Sequence, residues 1–119
     1  NTSGTLQAEK DLTVTADQIN NQSGLMNSQS SLSLSSRKDV NNTSGQIIAK
    51  QDVTTHSQGL TNNSGQIGSV QGNVSLDAGL GDLNNQAGKI LAAQDLTLSA
   101  QNLDNQSGLI SAQKKLALK

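Results

Sequence analysis

An Asn followed three residues later by a Gly occurs at six places along this chain: Asn1/Gly4, Asn21/Gly24, Asn42/Gly45, Asn62/Gly65, Asn85/Gly88 and Asn105/Gly108. The glycines stand 20, 21, 20, 23 and 20 residues apart. Self-similarity at that period marks a repeat protein, in which a unit too small to bury its own apolar face stacks on copies of itself. The period also reverses what composition suggests. With 32% hydrophobic and 14% charged residues among 119, and no Phe, Trp, Tyr, Pro or Cys, so polar a chain would read as disordered. Here the few apolar residues recur at fixed offsets, so each can be covered by its counterpart in the next unit.

Two residues after each Gly lies an apolar residue (Leu6, Met26, Ile47, Ile67, Ile90, Ile110), and two further on a small one (Ala8, Ser28, Ala49, Ser69, Ala92, Ala112). Alternation with period two is a strand signal with one face inward. A second alternating pair follows: Leu12/Val14, Leu32/Leu34, Val53/Thr55, Val74/Leu76, Leu96/Leu98 and Leu116/Leu118. Five residues before the next Gly comes a third apolar position: Ile19, Val40, Leu60, Leu83, Leu103. Nowhere do apolar residues keep helical spacing for long enough to make an amphipathic helix.

Length variation confirms this register. Four residues separate the second and third apolar positions in three units, but five follow Leu34 and six follow Leu76. The fourth unit carries one further residue between Ile67 and Val74. Insertions confined to junctions between strands bulge outward and leave a stack undisturbed. A propeller blade would need a period of about 40 residues or more and aromatic signatures, and the Leu-x-x-Leu-x-Leu frame of a leucine-rich repeat is absent. The sequence therefore predicts an all-β chain: a right-handed parallel β-helix (solenoid) of about six coils of about 20 residues, with three short strands per coil. Residues 1–119 form a single β-helical segment. Beginning in mid-repeat without Met, it reads as an interior piece of a longer protein.

The Asn and Gly have a physical role in such a coil. Gly permits a positive φ or a close backbone approach at a corner. An Asn in every coil can bond to its copies above and below, forming an amide ladder that satisfies buried polar groups. The residue before Gly is Ser in five units and Ala87 in one.

The pattern Asn-x-Ser-Gly-x-Ile-x-Ala followed by Leu-x-Leu, cleanest in residues 105–118 and, with Ala87 at the Ser position, in 85–98, resembles the repeats of filamentous haemagglutinin. That group includes large adhesins and CdiA-type contact-dependent inhibition proteins of Gram-negative bacteria. The resemblance covers essentially the whole chain. It implies a β-helical shaft segment of a secreted or cell-surface exoprotein, exported by two-partner secretion and displaying adhesive or toxic elements away from the cell. It further implies an outer-membrane transporter as partner during export, and a target-cell receptor or glycan as a partner of the displayed protein.

Residue chemistry adds no competing activity. The net charge is −1, and the basic residues Lys10, Arg37, Lys38, Lys50, Lys89, Lys114, Lys115 and Lys119 form no stripe, so nucleic-acid binding lacks an electrostatic or stacking basis. No apolar run approaches the ~20 residues of a membrane-spanning helix, and no signal-peptide pattern is present. His56, the sole histidine, is expected on the outer surface in the row of Thr15, Ser35 and Ser99, without the partners of a metal site or triad. Asp11, Asp52 and Asp95 share one repeat phase on alternate units. That spacing puts them ~10 Å apart, which repeat phase explains better than glycosidase chemistry. The hydroxyl row Thr13/Thr15, Ser33/Ser35, Thr97/Ser99 is broken at Thr54/His56 and Asp77, so it makes no regular flat array. Asn-x-Ser sequons at Asn1, Asn21, Asn42, Asn62 and Asn105 fall on the corner asparagines and read as by-products of the corner. No catalytic, cofactor-binding or metal-ligating residue is assigned, and no cofactor is expected. Two rival readings share the fold. One is a receptor- or glycan-binding module, with the enlarged fourth coil (residues 68–82) as its surface. The other is a polysaccharide-cleaving enzyme.

Overall fold

A computed structural model describes residues 1–119. Three strands make each coil. The first holds β1 (Thr5–Ala8), β2 (Leu12–Ala16) and β3 (Ile19–Asn20), and the second β4 (Leu25–Ser28), β5 (Leu32–Ser36) and β6 (Val40–Asn41). The third holds β7 (Gln46–Ala49), β8 (Val53–His56) and β9 (Leu60–Thr61), and the fourth β10 (Gln66–Ser69), β11 (Val74–Asp77) and β12 (Leu83–Asn84). The fifth holds β13 (Lys89–Ala92), β14 (Leu96–Ser99) and β15 (Leu103–Asp104). The sixth ends the chain with β16 (Leu109–Ala112) and β17 (Leu116–Leu118). There is no helix, and so none long and apolar enough to cross a membrane.

Equivalent strands of successive coils pair in parallel, giving sheets β1-β4-β7-β10-β13-β16, β2-β5-β8-β11-β14-β17 and β3-β6-β9-β12-β15. The register follows the repeat residue for residue. Ile67 lies opposite Ile47 on one side and Ile90 on the other, and Leu76 lies between Thr55 and Leu98. A one-residue slip would turn every inward side chain to solvent, so the apolar pattern itself pins the register. At six coils the stack is about as long as it is wide, with extents of 31 × 29 × 22 Å. The rod shape belongs to longer arrays.

The core is a column down the middle of the coil. Met26, Ile47, Ile67 and Ile90 line the first sheet, Leu32, Leu34, Val53, Val74, Leu76, Leu96 and Leu98 the second, and Ile19, Val40, Leu60 and Leu83 the third. Each buried aliphatic of this size contributes about 1.5–3 kcal/mol relative to exposure. Their counterparts in the end coils, Leu6, Leu103, Leu116 and Leu118, are partly exposed because each lacks a neighbour on one side.

The inward set matches the sequence reading, with one addition. A sixth column per coil runs through Ala16, Ser36, Ser57, Ala78 and Ala100, three of them fully or nearly buried. Two are serines beside corners of variable length, so the alternation of the second strand faded out of the sequence pattern there. Their hydroxyls stay satisfied. Ser36 Oγ bonds the Asp17 and Asp39 carbonyls at 3.1 and 3.0 Å.

The added residues of the fourth coil sit where the spacing places them, in segments 70–73 and 78–82, and both flanking strands keep their register. Val70 and Leu80 protrude there, 63% and 84% exposed. One residue breaks the pattern from within. Thr55 replaces the aliphatic residue found at Val14, Leu34, Leu76 and Leu98, and its buried Oγ1 has no hydrogen-bond partner.

Candidate functional site

Every coil turns at Asn-x-Ser/Ala-Gly. The Gly N–H donates to the Asn carbonyl of the same turn, as Gly65 does to Asn62 at 3.0 Å. The residue before Gly takes a left-handed backbone: Ser3, Ser23, Ser44, Ser64, Ala87 and Ser107 have φ between 54° and 57°. The sequence left Gly two possible roles, and the geometry separates them. The positive φ belongs to the preceding Ser or Ala, and the close approach belongs to Gly. A Cβ on Gly65 would fall within the carbonyl oxygen of Asn42 in the coil before, and would lie 2.6 Å from Asn62 Oδ1. Gly24, Gly45, Gly88 and Gly108 meet the same obstruction from Asn1, Asn21, Asn62 and Asn85.

The asparagines form the expected ladder. Nδ2 of Asn1, Asn21, Asn42, Asn62 and Asn85 each donates to Oδ1 of the next, at 2.7, 2.8, 2.7, 2.7 and 2.7 Å. The second hydrogen goes to a strand carbonyl of the following coil: Asn42 to Gln66 O at 3.1 Å, Asn62 to Lys89 O at 3.0 Å. Asn21, Asn42, Asn62 and Asn85 are fully buried. A buried amide with donors and acceptor all engaged escapes the desolvation penalty that an orphaned one incurs, about 1–3 kcal/mol per group.

The outer rows repeat this logic in weaker form. Asp11, Ser31, Asp52, Asn73, Asp95 and Lys115 occupy one phase, and side-chain oxygens reach backbone N–H groups of the next coil. Asp11 accepts from Ser31 (3.2 Å), Asp52 from Asn73 (2.8 Å), Asn73 from Asp95 (3.0 Å) and Asp95 from Lys115 (3.3 Å). The carboxylates that share a phase with a glycosidase-like spacing are thus each committed to bridging a corner. A hydrogen bond from Ser30, then one from the Ser31 backbone, holds the Asp11 carboxyl below its ordinary range. Gln86, then the Gln106 backbone, does the same for Asp104. No three His, Asp or Glu side chains converge.

His56 stands on the outer face opposite Ser35, where its phase places it, and the structure adds a partner. Its Nδ1 lies 3.5 Å from Asp77 Oδ2 in the coil below, an ion pair whenever the imidazole carries a proton. In the fourth coil, Leu80 sits at the tip of a fixed turn. Gly81 N–H bonds Ala78 O at 2.9 Å, Gly79 (φ 59°) bonds Asp77 Oδ1 at 2.8 Å, and Leu80 N–H reaches Gln58 Oε1 at 3.3 Å. The surface depressions are shallow. The roomiest, about 260 Å³, lies beside Asn27, Ile48, Lys50 and Val70, in the first sheet and the corner that follows it.

No curated protein and no solved structure is significantly similar to this chain. A family model for the haemagglutinin repeat matches residues 1–44, 26–79 and 69–119, which together span the whole length. With the parallel solenoid, the asparagine ladder and the repeated Asn-x-Ser-Gly corner in place, the match fixes the family: this chain belongs to the haemagglutinin repeat family.

Proposed function

We propose that this segment is a structural shaft within a large secreted bacterial surface exoprotein, an adhesin or a toxin-delivery filament, without enzymatic activity of its own. The observation that carries the reading is the direction in which polar groups are used. The corner asparagines and the Asp/Asn row bond mainly from one coil to the next, along the stack axis, and no groups converge on a cleft. Such an arrangement extends by repetition, and its stability is a sum of coil and interface terms. The haemagglutinin repeat family suggests a secreted or cell-surface setting. On this reading, the partner during export is an outer-membrane transporter of the parent protein, and the distal partner is a target-cell receptor or glycan.

Deleting residues 85–104 from the parent brings Asn105 into the place of Asn85 and keeps all strands in phase, shortening the shaft by ~5 Å. Export and adherence or delivery are expected to survive. A second reading, in which the segment itself binds a receptor, is favoured by one feature, the rigidly presented Leu80. Leu80→Ser, or Asp77→Ala with Asp82→Ala, leaves cell binding intact if the segment is a shaft. Loss of binding in displayed protein makes the fourth coil a recognition surface instead.

A further inference from the structure

The outer faces of the three sheets differ in kind. Outward positions of the second sheet are Ser and Thr, apart from His56, Asp77 and, on the last strand, Ala117. Those of the third are Asn20, Asn41, Thr61, Asn84 and Asp104. On the first sheet, by contrast, Leu25, Ile48, Leu91 and Leu109 face outward, and Val70 joins them at the corner that follows, 63% exposed. Gly68 pairs with Ile48 on one side and Leu91 on the other and has no side chain to separate them. Ile48 Cδ1 and Leu91 Cβ come within 3.7 and 3.9 Å of where its Cβ would stand, so the apolar floor is continuous across three coils.

The polar groups around this floor are of one kind. The groove of about 260 Å³ is lined by Asn27, Ile48, Lys50 and Val70 among others. Asn27 Oδ1 is covered there and accepts no hydrogen bond, a state that costs free energy until a donor arrives. Lys50 and Lys89 are exposed and form no ion pair. Strands β4, β7, β10 and β13 hold no carboxylate. Asp52 and Asp95, in the corners that follow, already accept from backbone N–H groups.

We propose that the outer face of the first sheet, over coils two to five, is a docking site for an extended acidic polypeptide segment. Its apolar side chains lie on Ile48, Val70 and Leu91, between carboxylates that reach Lys50 and Lys89. A peptide N–H supplies the donor that Asn27 lacks. An acyl chain supplies none, and the chain has no Trp or Tyr to seat at a lipid headgroup. A second copy would bring the same lysines and no acid. Lys89 pairs with Gln66, and Lys50 falls opposite Val70, four residues further along the same strand. Two coils and four residues put the two lysines roughly 16 Å apart. Alternate side chains of an extended peptide share a face, so Glu-Thr-Leu-Thr-Leu-Thr-Glu presents Glu, Leu, Leu and Glu to the sheet over about 20 Å.

The test titrates the isotope-labelled chain with that heptapeptide, acetylated and amidated at its ends, and follows the backbone amide shifts. Saturable shifts are expected in β7, β10 and β13. Lys50→Glu with Lys89→Glu should weaken binding about tenfold or more, and a peptide with Lys in place of both Glu should bind that variant and not the parent chain. Val70→Ser should weaken binding too, whereas Leu80→Ser, at an exposed apolar residue on another corner, should not. Unshifted amides elsewhere report that each variant is folded. Absence of saturable shifts on the first sheet overturns the proposal, and so does equal binding of both peptides to both chains. Phosphatidylglycerol vesicles that shift these residues when the peptide does not, or a chain that sediments as a dimer with this face protected, give the face another occupant and overturn it as well.

Discussion

The asparagine corner and the other two corners of the coil are built from the same kinds of residue but obey different rules. Between the third strand and the next first strand, every unit has the same length. Between the first and second strands the fourth coil has one extra residue, and between the second and third strands the second coil has one and the fourth has two. The difference follows from what crosses from coil to coil. At the asparagine corner a buried amide column and a backbone passing within contact of Gly leave no room for an added atom. At the other corners backbone bonds also run from coil to coil, as from Gln51 to Ser30 and from Gln58 to Lys38, and Gly72 and Gly81 also pass close to the preceding backbone. The side-chain links added there, however, are near the surface rather than in a buried column, and water can replace them when a segment bulges. Constancy of length in a solenoid therefore locates the corner that holds the stack together.

The largest expected effect separates the two kinds of corner. Gly65→Ala sets a methyl against the Asn42 carbonyl, which is backbone and cannot move aside. A loss of more than about 4 kcal/mol in urea unfolding is expected. Excising Gly79 and Leu80, which restores the commoner corner length, should cost about 1 kcal/mol or less. Next comes Asn62→Ala, which strands Asn42 Nδ2, Asn85 Oδ1 and Lys89 O, at roughly 1–3 kcal/mol. His56→Ala, on the outer face, should stay within about 0.5 kcal/mol in the same melts. Equal tolerance of these two would show that the ladder contributes nothing.

One change has the opposite sign. Thr55→Val replaces an orphaned hydroxyl with the aliphatic group that its column carries elsewhere, and is expected to raise stability by about 1 kcal/mol. The smallest effect concerns pH. Asp11 and Asp104 have folded-state pKa values below the ordinary 3.8, so the unfolded chain binds their protons first as pH falls. Their contribution is present above that ordinary value and is lost as pH drops through the folded values. Asp104→Asn with Asp11→Asn should flatten this part of the acid stability profile, measured by thermal melting between about pH 5 and 2.

Much of this was legible because the units check one another. One coil read alone gives short apolar runs of uncertain meaning, whereas six aligned coils fix the strands, the inward columns and the insertion points. What escaped the sequence was contact between coils that the period does not encode. The inward column at Ser36 and Ser57 looked polar because its hydroxyls bond corner carbonyls. The shared phase of Asp11, Asp52 and Asp95 was visible, but its cause lay in N–H groups one coil away.

A single inserted glycine tests the account most directly. Placed after Gln58, it gives the third coil the corner length that the second coil already has, and cooperative urea unfolding should persist within about 1 kcal/mol of the parent chain. Placed after Asn62, it pushes Gly65 out of contact with Asn42 and takes the fourth coil out of register with the third, and cooperative unfolding should be lost. Equal stability of the two insertions would contradict the assignment of the asparagine corner as the element that holds the coils in register.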